Sequence, residues 1–278
     1  MKAERLAAFI HCNGTSLMQR ISTRQHWIDT PSGQLYAQSW NPDEEQGTPI
    51  VLLHDSLGCV ALWRDFPERL AQASGRRVIA YDRLGFGQSA AHPCTLALDF
   101  IEEEATGGFQ AVRQHLDLSR FEVFGHSVGG GMAVNCAAVY PQACRGLITE
   151  SAQAFVDSGI CQGIRAAERE FAGPGQLKRL HKYHGDKADW VLRAWVDTWL
   201  SPAFSQWTLD GALQQVRCPV LSLHGEHDEF GSHLHPERIT SLASGPTTLR
   251  LLENCGHVPH REHPDEVLAI VCEFLRAV

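Results

Sequence analysis

The segment Gly125-His126-Ser127-Val128-Gly129 follows an apolar run at residues 121–124 and leads into Gly130-Gly131-Met132-Ala133-Val134. That order reads as a buried strand, a tight turn and the small, apolar start of a helix. A serine on such a turn needs a strained backbone, and flanking glycines remove the Cβ atoms that would collide there. The turn lifts the Ser127 hydroxyl clear of the sheet and sets it at a helix N-terminus, where developing negative charge is favoured. A hydroxyl is a poor nucleophile at neutral pH, so it needs a base, and the base needs an acid to orient it. Two later stretches supply those types. An apolar run at 219–223 precedes His224-Gly225-Glu226-His227-Asp228-Glu229, and one at 248–252 precedes Asn254-Cys255-Gly256-His257-Val258. Asp228 and His257 therefore stand in loops at the sheet edge that carries Ser127, in the order serine, acid, histidine.

The elements that must hold these residues are legible as alternating runs. Continuous apolar stretches at 50–53, 78–81, 121–124, 146–149, 219–223 and 248–252 read as strands, most of them buried on both faces. Residues 34–38 alternate at period two and suggest an antiparallel, half-exposed edge after the turn Pro31-Ser32-Gly33. The last stretch repeats Val267, Ile270, Val271, Phe274, Leu275 and Val278 at helical spacing, with Pro264, Asp265 and Glu266 in the first turn. Strands alternating with amphipathic helices predict βαβ crossovers and an α/β fold with a mainly parallel sheet. Residues 151–214 contain no strand-like run, but several helical ones rich in aromatics, among them Phe155, Phe171, Trp190, Trp195, Trp199 and Trp207. This insertion is expected to form a helical cap over the sheet edge, with most of its aromatics packing among themselves. The expected organisation is an N-terminal arm at 1–25, a core at 26–150 and 215–278, and the cap between them.

These residues together resemble the α/β-hydrolase superfamily, over roughly residues 26–278. The resemblance rests on His54 after the third strand, Asp82-Arg83-Leu84-Gly85-Phe86-Gly87-Gln88-Ser89 after the fourth, the Gly125–Gly129 turn, Gly225-Glu226-His227-Asp228 and Gly256-His257. It implies an eight-stranded sheet with helices on both faces. It also implies Ser127 as nucleophile, His257 as general base and acid, and Asp228 as the orienting carboxylate, with Glu150 an alternative acid at the end of the sixth strand. Backbone N–H groups of Val128 and Ser56 are implied as the oxyanion hole. One departure stands out: relatives usually show His-Gly where this chain has His54-Asp55. Asp55 puts a carboxylate beside a hole that must bind an oxyanion, unless its side chain turns away.

A serine nucleophile with an oxyanion hole points to acyl chemistry that esters, thioesters, lactones and amides all fit, carboxylic esters first, and an aromatic cap points to a small or medium apolar acyl group. Two alternatives remain at this level: a carbon–carbon hydrolase of ring-fission products, and a small-molecule receptor with slow turnover. Val258 follows the Gly256-His257 pair where carbon–carbon hydrolases tend to carry tryptophan. No cofactor is expected, since Gly85-Phe86-Gly87 lacks the third glycine of a dinucleotide loop. No metal is expected either, because His181-x-x-His184 and His233-x-His235 lack matched further ligands. His260 and His263 read as surface or supporting groups, and His224 and His227 as loop polarity.

Hydrophobic residues make up 44% of the chain and charged ones 20%, enough for a sizeable core and too apolar for a disordered chain. The net charge of −8, without a dense basic cluster, argues against nucleic acid or an anionic membrane as partner. Nine scattered cysteines without a C-x-x-C pair suit reduced thiols in a cytoplasmic protein. The expected partner is a small-molecule acyl substrate, with the protein a monomer or homodimer.

Overall fold

The computed structural model describes residues 20–278. Eight strands form one sheet: β1 Ile21–Thr30, β2 Gly33–Pro42, β3 Ile50–Leu53, β4 Val78–Tyr81, β5 Phe121–His126, β6 Cys144–Glu150, β7 Val220–Gly225 and β8 Thr247–Leu252. Their spatial order is β1-β2-β4-β3-β5-β6-β7-β8. β2 pairs antiparallel with both β1 and β4, and every later pairing is parallel. The expected α/β fold with a mostly parallel sheet is therefore present.

Period-two side-chain alternation divides the core into two layers. Val51, Leu53, Ile79 and Val123 face the helices Phe100–Thr106, Gly108–His115 and Val128–Val139. Ile50, Leu52, Ala80 and Phe124 face the opposite layer, where Phe66 and Leu70 of the helix Phe66–Ser74 meet Val267 and Val271 of the helix Pro264–Ala277. β3, β4, β5 and β7 are buried at every position, which is why their sequences are mostly apolar, with the buried polar residues Glu122, His126, Ser222 and His224 confined to β5 and β7.

The amino-terminal boundary differs from expectation. Residues 1–19 of the expected arm lie outside the described residues, but the sheet already begins at Ile21, inside the range assigned to the arm. β1 pairs with β2 from Ile21↔Pro42 to Thr30↔Gly33, closing through Pro31 and Ser32. It escapes a hydrophobicity reading because it is an exposed edge strand, with Ile28 its only buried residue.

Between β6 and β7 the chain forms the helices Ser158–Phe171, Leu177–His184, Ala188–Trp199 and Asp210–Leu213, with Phe155 and Thr208 bridged at its base. Phe204 stacks on Trp207, and both contact Trp199. The Trp207 indole N–H donates to Glu102 at 3.1 Å, tying the insertion to the core. No helix among the described residues is long and apolar enough to cross a membrane.

Candidate active site

β5 ends at His126 and the helix Val128–Val139 starts two residues on, leaving Ser127 alone in the turn at φ 55° and ψ −127°. For a residue with a Cβ, this left-handed conformation costs on the order of 1–3 kcal/mol. Glycine is required on either side. A Cβ on Gly125 would lie 2.0 Å from the Gly129 carbonyl oxygen, and one on Gly129 would lie 2.2 Å from the Leu53 oxygen. The turn is held from the next strand as well, since the Ser127 N–H donates to the Glu150 carbonyl at 2.8 Å.

The structure brings Ser127, His257 and Asp228 into one hydrogen-bonded chain. His257 Nε2 lies 3.0 Å from Ser127 Oγ, and His257 Nδ1 lies 2.8 Å from Asp228 Oδ1. An ionised carboxylate only accepts, so Nδ1 carries the proton and Nε2 is left free to accept one from the hydroxyl. Asp228 Oδ1 also accepts the Phe230 N–H at 2.8 Å. Burial alone would raise the Asp228 carboxyl, but attraction to His257 and the hydrogen bonds from His257 and Phe230 hold it below the usual carboxylate range. His224, expected to be loop polarity, is buried instead: its Nε2–H donates to the Gly231 carbonyl at 2.8 Å, and the same nitrogen lies 3.5 Å from Asp228 Oδ2.

Glu150, the alternative acid, is fully buried and pairs with a different histidine. Its Oε2 lies 2.5 Å from His260 Nδ1, while Trp63 packs against the His260 ring. His260 is thus a core residue rather than a surface one, whereas His263 is partly exposed.

The N–H groups of Ser56 and Val128 donate to no group among the described residues, and both residues border a small void walled by Arg83, Phe86, Trp195 and Trp199. Asp55 does turn away from it. Its Oδ1 accepts the Leu57 N–H at 2.8 Å, and its Oδ2 lies 3.4 Å from His126 Nδ1. His126 Nε2 in turn reaches the His257 carbonyl at 2.8 Å. A carboxylate on one side and a carbonyl on the other both ask for N–H donors, which suits an imidazolium. Burial opposes that charge, but Asp55 and Glu150 outweigh it and raise His126 above its ordinary value. Burial likewise opposes the Asp55 anion, and His126 and its neighbours overcome it, holding Asp55 well below the carboxylate range. The negative charge that looked hostile to an oxyanion is therefore compensated in place.

Above Ser127 lies a cavity of about 270 Å3, walled by Leu57 and Phe230 from the core and by Ile160, Ile164, Phe171, Trp195 and Trp199 from the insertion. Trp195 and Trp199 are four residues apart on one helical face, so this pair of the insertion's aromatics faces the site while Phe204 and Trp207 pack behind it. Gln153 is the site residue that sequence reasoning missed. It follows β6, is 5% exposed, lines the cavity and stands 3.4 Å from Ser127 Oγ. The available signal was a polar residue just past a strand end on the edge that carries Ser127.

His181 and His184 do not act as a pair: His184 accepts the Gly87 N–H on Nδ1 at 2.9 Å and donates from Nε2 to the Leu57 carbonyl at 3.0 Å. That bridge fixes the loop after β3 to the loop after β4. One group among the described residues has the types and spacing to hold a cation: His126, Glu150 and His260, whose ligand atoms lie within 4.8 Å of one another.

Burial lowers His54, His184, His224, His235 and His260, so each is neutral in the fold yet takes up a proton in the unfolded chain below about pH 6.5. Their contribution is present above that pH and is lost as pH falls toward their lowered values. His26 adds to this set, while His126 and the carboxyls of Asp82, Glu104 and Glu122, all raised, act with the opposite sign; the six lowered histidines are the larger set. Asp55, Glu150 and Asp228, all held low, add a further loss below about pH 4. The melting temperature is expected to fall steadily from about pH 6.5 to pH 4 and more steeply beyond. A flat profile between pH 6.5 and pH 5 in calorimetry would contradict this reading.

A family described as the alpha/beta hydrolase fold matches residues 48–264. The chain belongs to the α/β-hydrolase family. Among relatives of this hydrolase, a proline iminopeptidase of Lactobacillus helveticus is 25% identical over 276 residues, covering 84% of this chain and 91% of that protein. The serine hydrolase BPHL of Mus musculus is 29% identical over 237 residues, covering 82% of this chain and 79% of that protein. The crystal structure of proline iminopeptidase from Mycobacterium smegmatis superposes with a TM-score of 0.71 at 21% identity, covering 91% of the hydrolase and 98% of that chain. The last likeness is one of fold.

Proposed function

We propose that this hydrolase cleaves carboxylic esters, or the related thioesters and lactones, through an acyl-enzyme on Ser127. The observation that carries the proposal is the chain Asp228–His257–Ser127, at 2.8 and 3.0 Å, opening into a mostly apolar cavity whose wall also includes Glu170 and Arg179. His257 Nε2 accepts the Ser127 proton as Oγ attacks the carbonyl carbon. The imidazolium formed is stabilised by Asp228. The oxygen that gains charge sits between the free N–H groups of Ser56 and Val128, each worth about 3 kcal/mol in such a hole. Collapse expels the leaving group, which takes the proton from His257. Water then enters, gives its proton to His257 and attacks the acyl-enzyme, and the same proton returns to Ser127 on release.

The cavity volume and lining support a small or medium apolar acyl group. Small-molecule pockets usually run about 300–1,000 Å3. The eight cysteines among the described residues are free thiols, which supports a reducing, cytoplasmic setting. The relatives named proline iminopeptidase favour a second reading, an amide substrate at a peptide's N-terminus, which the same machinery could serve. A panel of 4-nitrophenyl butanoate, 4-nitrophenyl octanoate and prolyl 4-nitroanilide separates the two. The ester reading expects kcat/KM of about 10^4 M−1 s−1 or more on butanoate, with the anilide far slower. Preference for the anilide would overturn it.

A further inference from the structure

Gln153 is a buried amide beside the reacting oxygen with little to bind. Its Nε2–H donates to Ser127 Oγ and to the Phe230 carbonyl at 3.4 Å, and its Oε1 lies 3.4 Å from Ser127 Oγ, whose one proton is directed at His257. A side-chain amide offers two donors and two acceptor lone pairs, and contacts at that length are weak. Yet the residue is 5% exposed, and leaving such a group half-used in an apolar site is costly. Its backbone is pinned: the Ser151 N–H donates to Leu223, the Ala154 N–H to His235 Nδ1, and the Leu209 N–H to the Ala154 carbonyl. The backbone that carries the amide is thus fixed on both sides.

The sheet order fixes which part of a substrate it meets. Ser56 follows β3 and Gln153 follows β6, on opposite sides of the β5 strand that presents Ser127. A carbonyl oxygen drawn to the Ser56 and Val128 N–H groups leaves the other substituents of its carbon on the Gln153 side. Of those, the leaving atom must meet His257 to receive its proton. The acyl carbon and what it bears remain for Gln153. We propose that Gln153 determines specificity by gripping a neutral oxygen on the carbon next to the scissile carbonyl, so that the preferred substrates are esters of 2-hydroxy or 2-oxo acids with an apolar remainder. An amide can donate to a keto oxygen or both donate to and accept from a hydroxyl, and it carries no charge that would call for an ionic partner. Ile160, Ile164 and Trp199 receive the apolar remainder.

The proposal rests on the ester-hydrolase reading above, and its test keeps the two apart. Wild type and Gln153→Leu are assayed on 4-nitrophenyl butanoate and 4-nitrophenyl 2-hydroxybutanoate, each rate divided by that ester's alkaline hydrolysis rate. The readout is the ratio of the two corrected kcat/KM values. Wild type is expected to favour the hydroxy ester about tenfold or more, the size of one well-placed hydrogen bond. In Gln153→Leu the ratio is expected to fall to near one, whatever the absolute rates. Gln153→Met, of similar length, serves if the leucine variant does not fold. A wild-type ratio near one, or a ratio unchanged in the variants, overturns the assignment while leaving the hydrolase reading standing. Failure of wild type to turn over either ester removes both.

Discussion

Replacing Ser127 by alanine is expected to lower kcat by about a millionfold. The nucleophile and its base act as a unit, so deleting one leaves His257 with no proton to move. The free N–H groups of Ser56 and Val128 and the cavity survive the change, so residual catalysis over water of about 10^3–10^4 should persist. The fold should hold. Alanine at φ 55° carries the same backbone strain as serine, and the group deleted makes only the 3.0 Å bond to His257 and the long contacts to Gln153. Ester turnover and circular dichroism on the same samples check both halves. An alanine variant with undiminished turnover would falsify the assignment of the nucleophile.

The second large effect separates the two carboxylates. Asp228→Asn is expected to cost about 10^4 in kcat with KM little changed. Oδ1 accepts from both Phe230 and His257, so an asparagine oxygen there keeps both bonds but supplies no charge to stabilise the imidazolium, and its NH2 then faces the His224 Nε2–H. An NH2 placed there instead loses the Phe230 bond and makes His257 Nδ1 the acceptor, so the ring proton sits on Nε2, faces Ser127 and blocks the transfer. Glu150→Gln reaches no ring nitrogen of His257. It weakens the buried pair with His260 at 2.5 Å, so its expected signature is a melting temperature lower by a few degrees with kcat reduced by less than about tenfold. If Glu150→Gln instead loses activity on the scale of Asp228→Asn, the acid has been assigned to the wrong strand.

The parts of this site that were legible in the sequence share a property: each is encoded within a few residues. The Ser127 turn is written as strand, glycine, serine, glycine and small helix start in one contiguous stretch, and steric exclusion at Gly125 and Gly129 leaves little other choice. Asp228 and His257 were placed by a local rule as well, a loop directly after a buried strand. The contents of the loops were harder. Asp55 looked like a misplaced charge because its partner His126 is far away in the chain, and only the packing of β3 beside β5 brings them together. His224 and His260 looked incidental for the same reason: a histidine's role lies in what its two nitrogens touch, and those partners are set by tertiary contact. β1 was lost because an exposed edge strand needs no hydrophobic alternation. Gln153 was lost because nothing local marks an amide as facing a cavity.

Intact-mass analysis after treatment with a fluorophosphonate asks whether Ser127 is a nucleophile activated by His257 and held by Asp228, because the reagent captures an activated hydroxyl whatever the natural acyl group is. One adduct is expected on the wild-type hydrolase, mapped to Ser127, and none on Ser127→Ala. No adduct on folded wild type, or an equal adduct on the alanine variant, would contradict it.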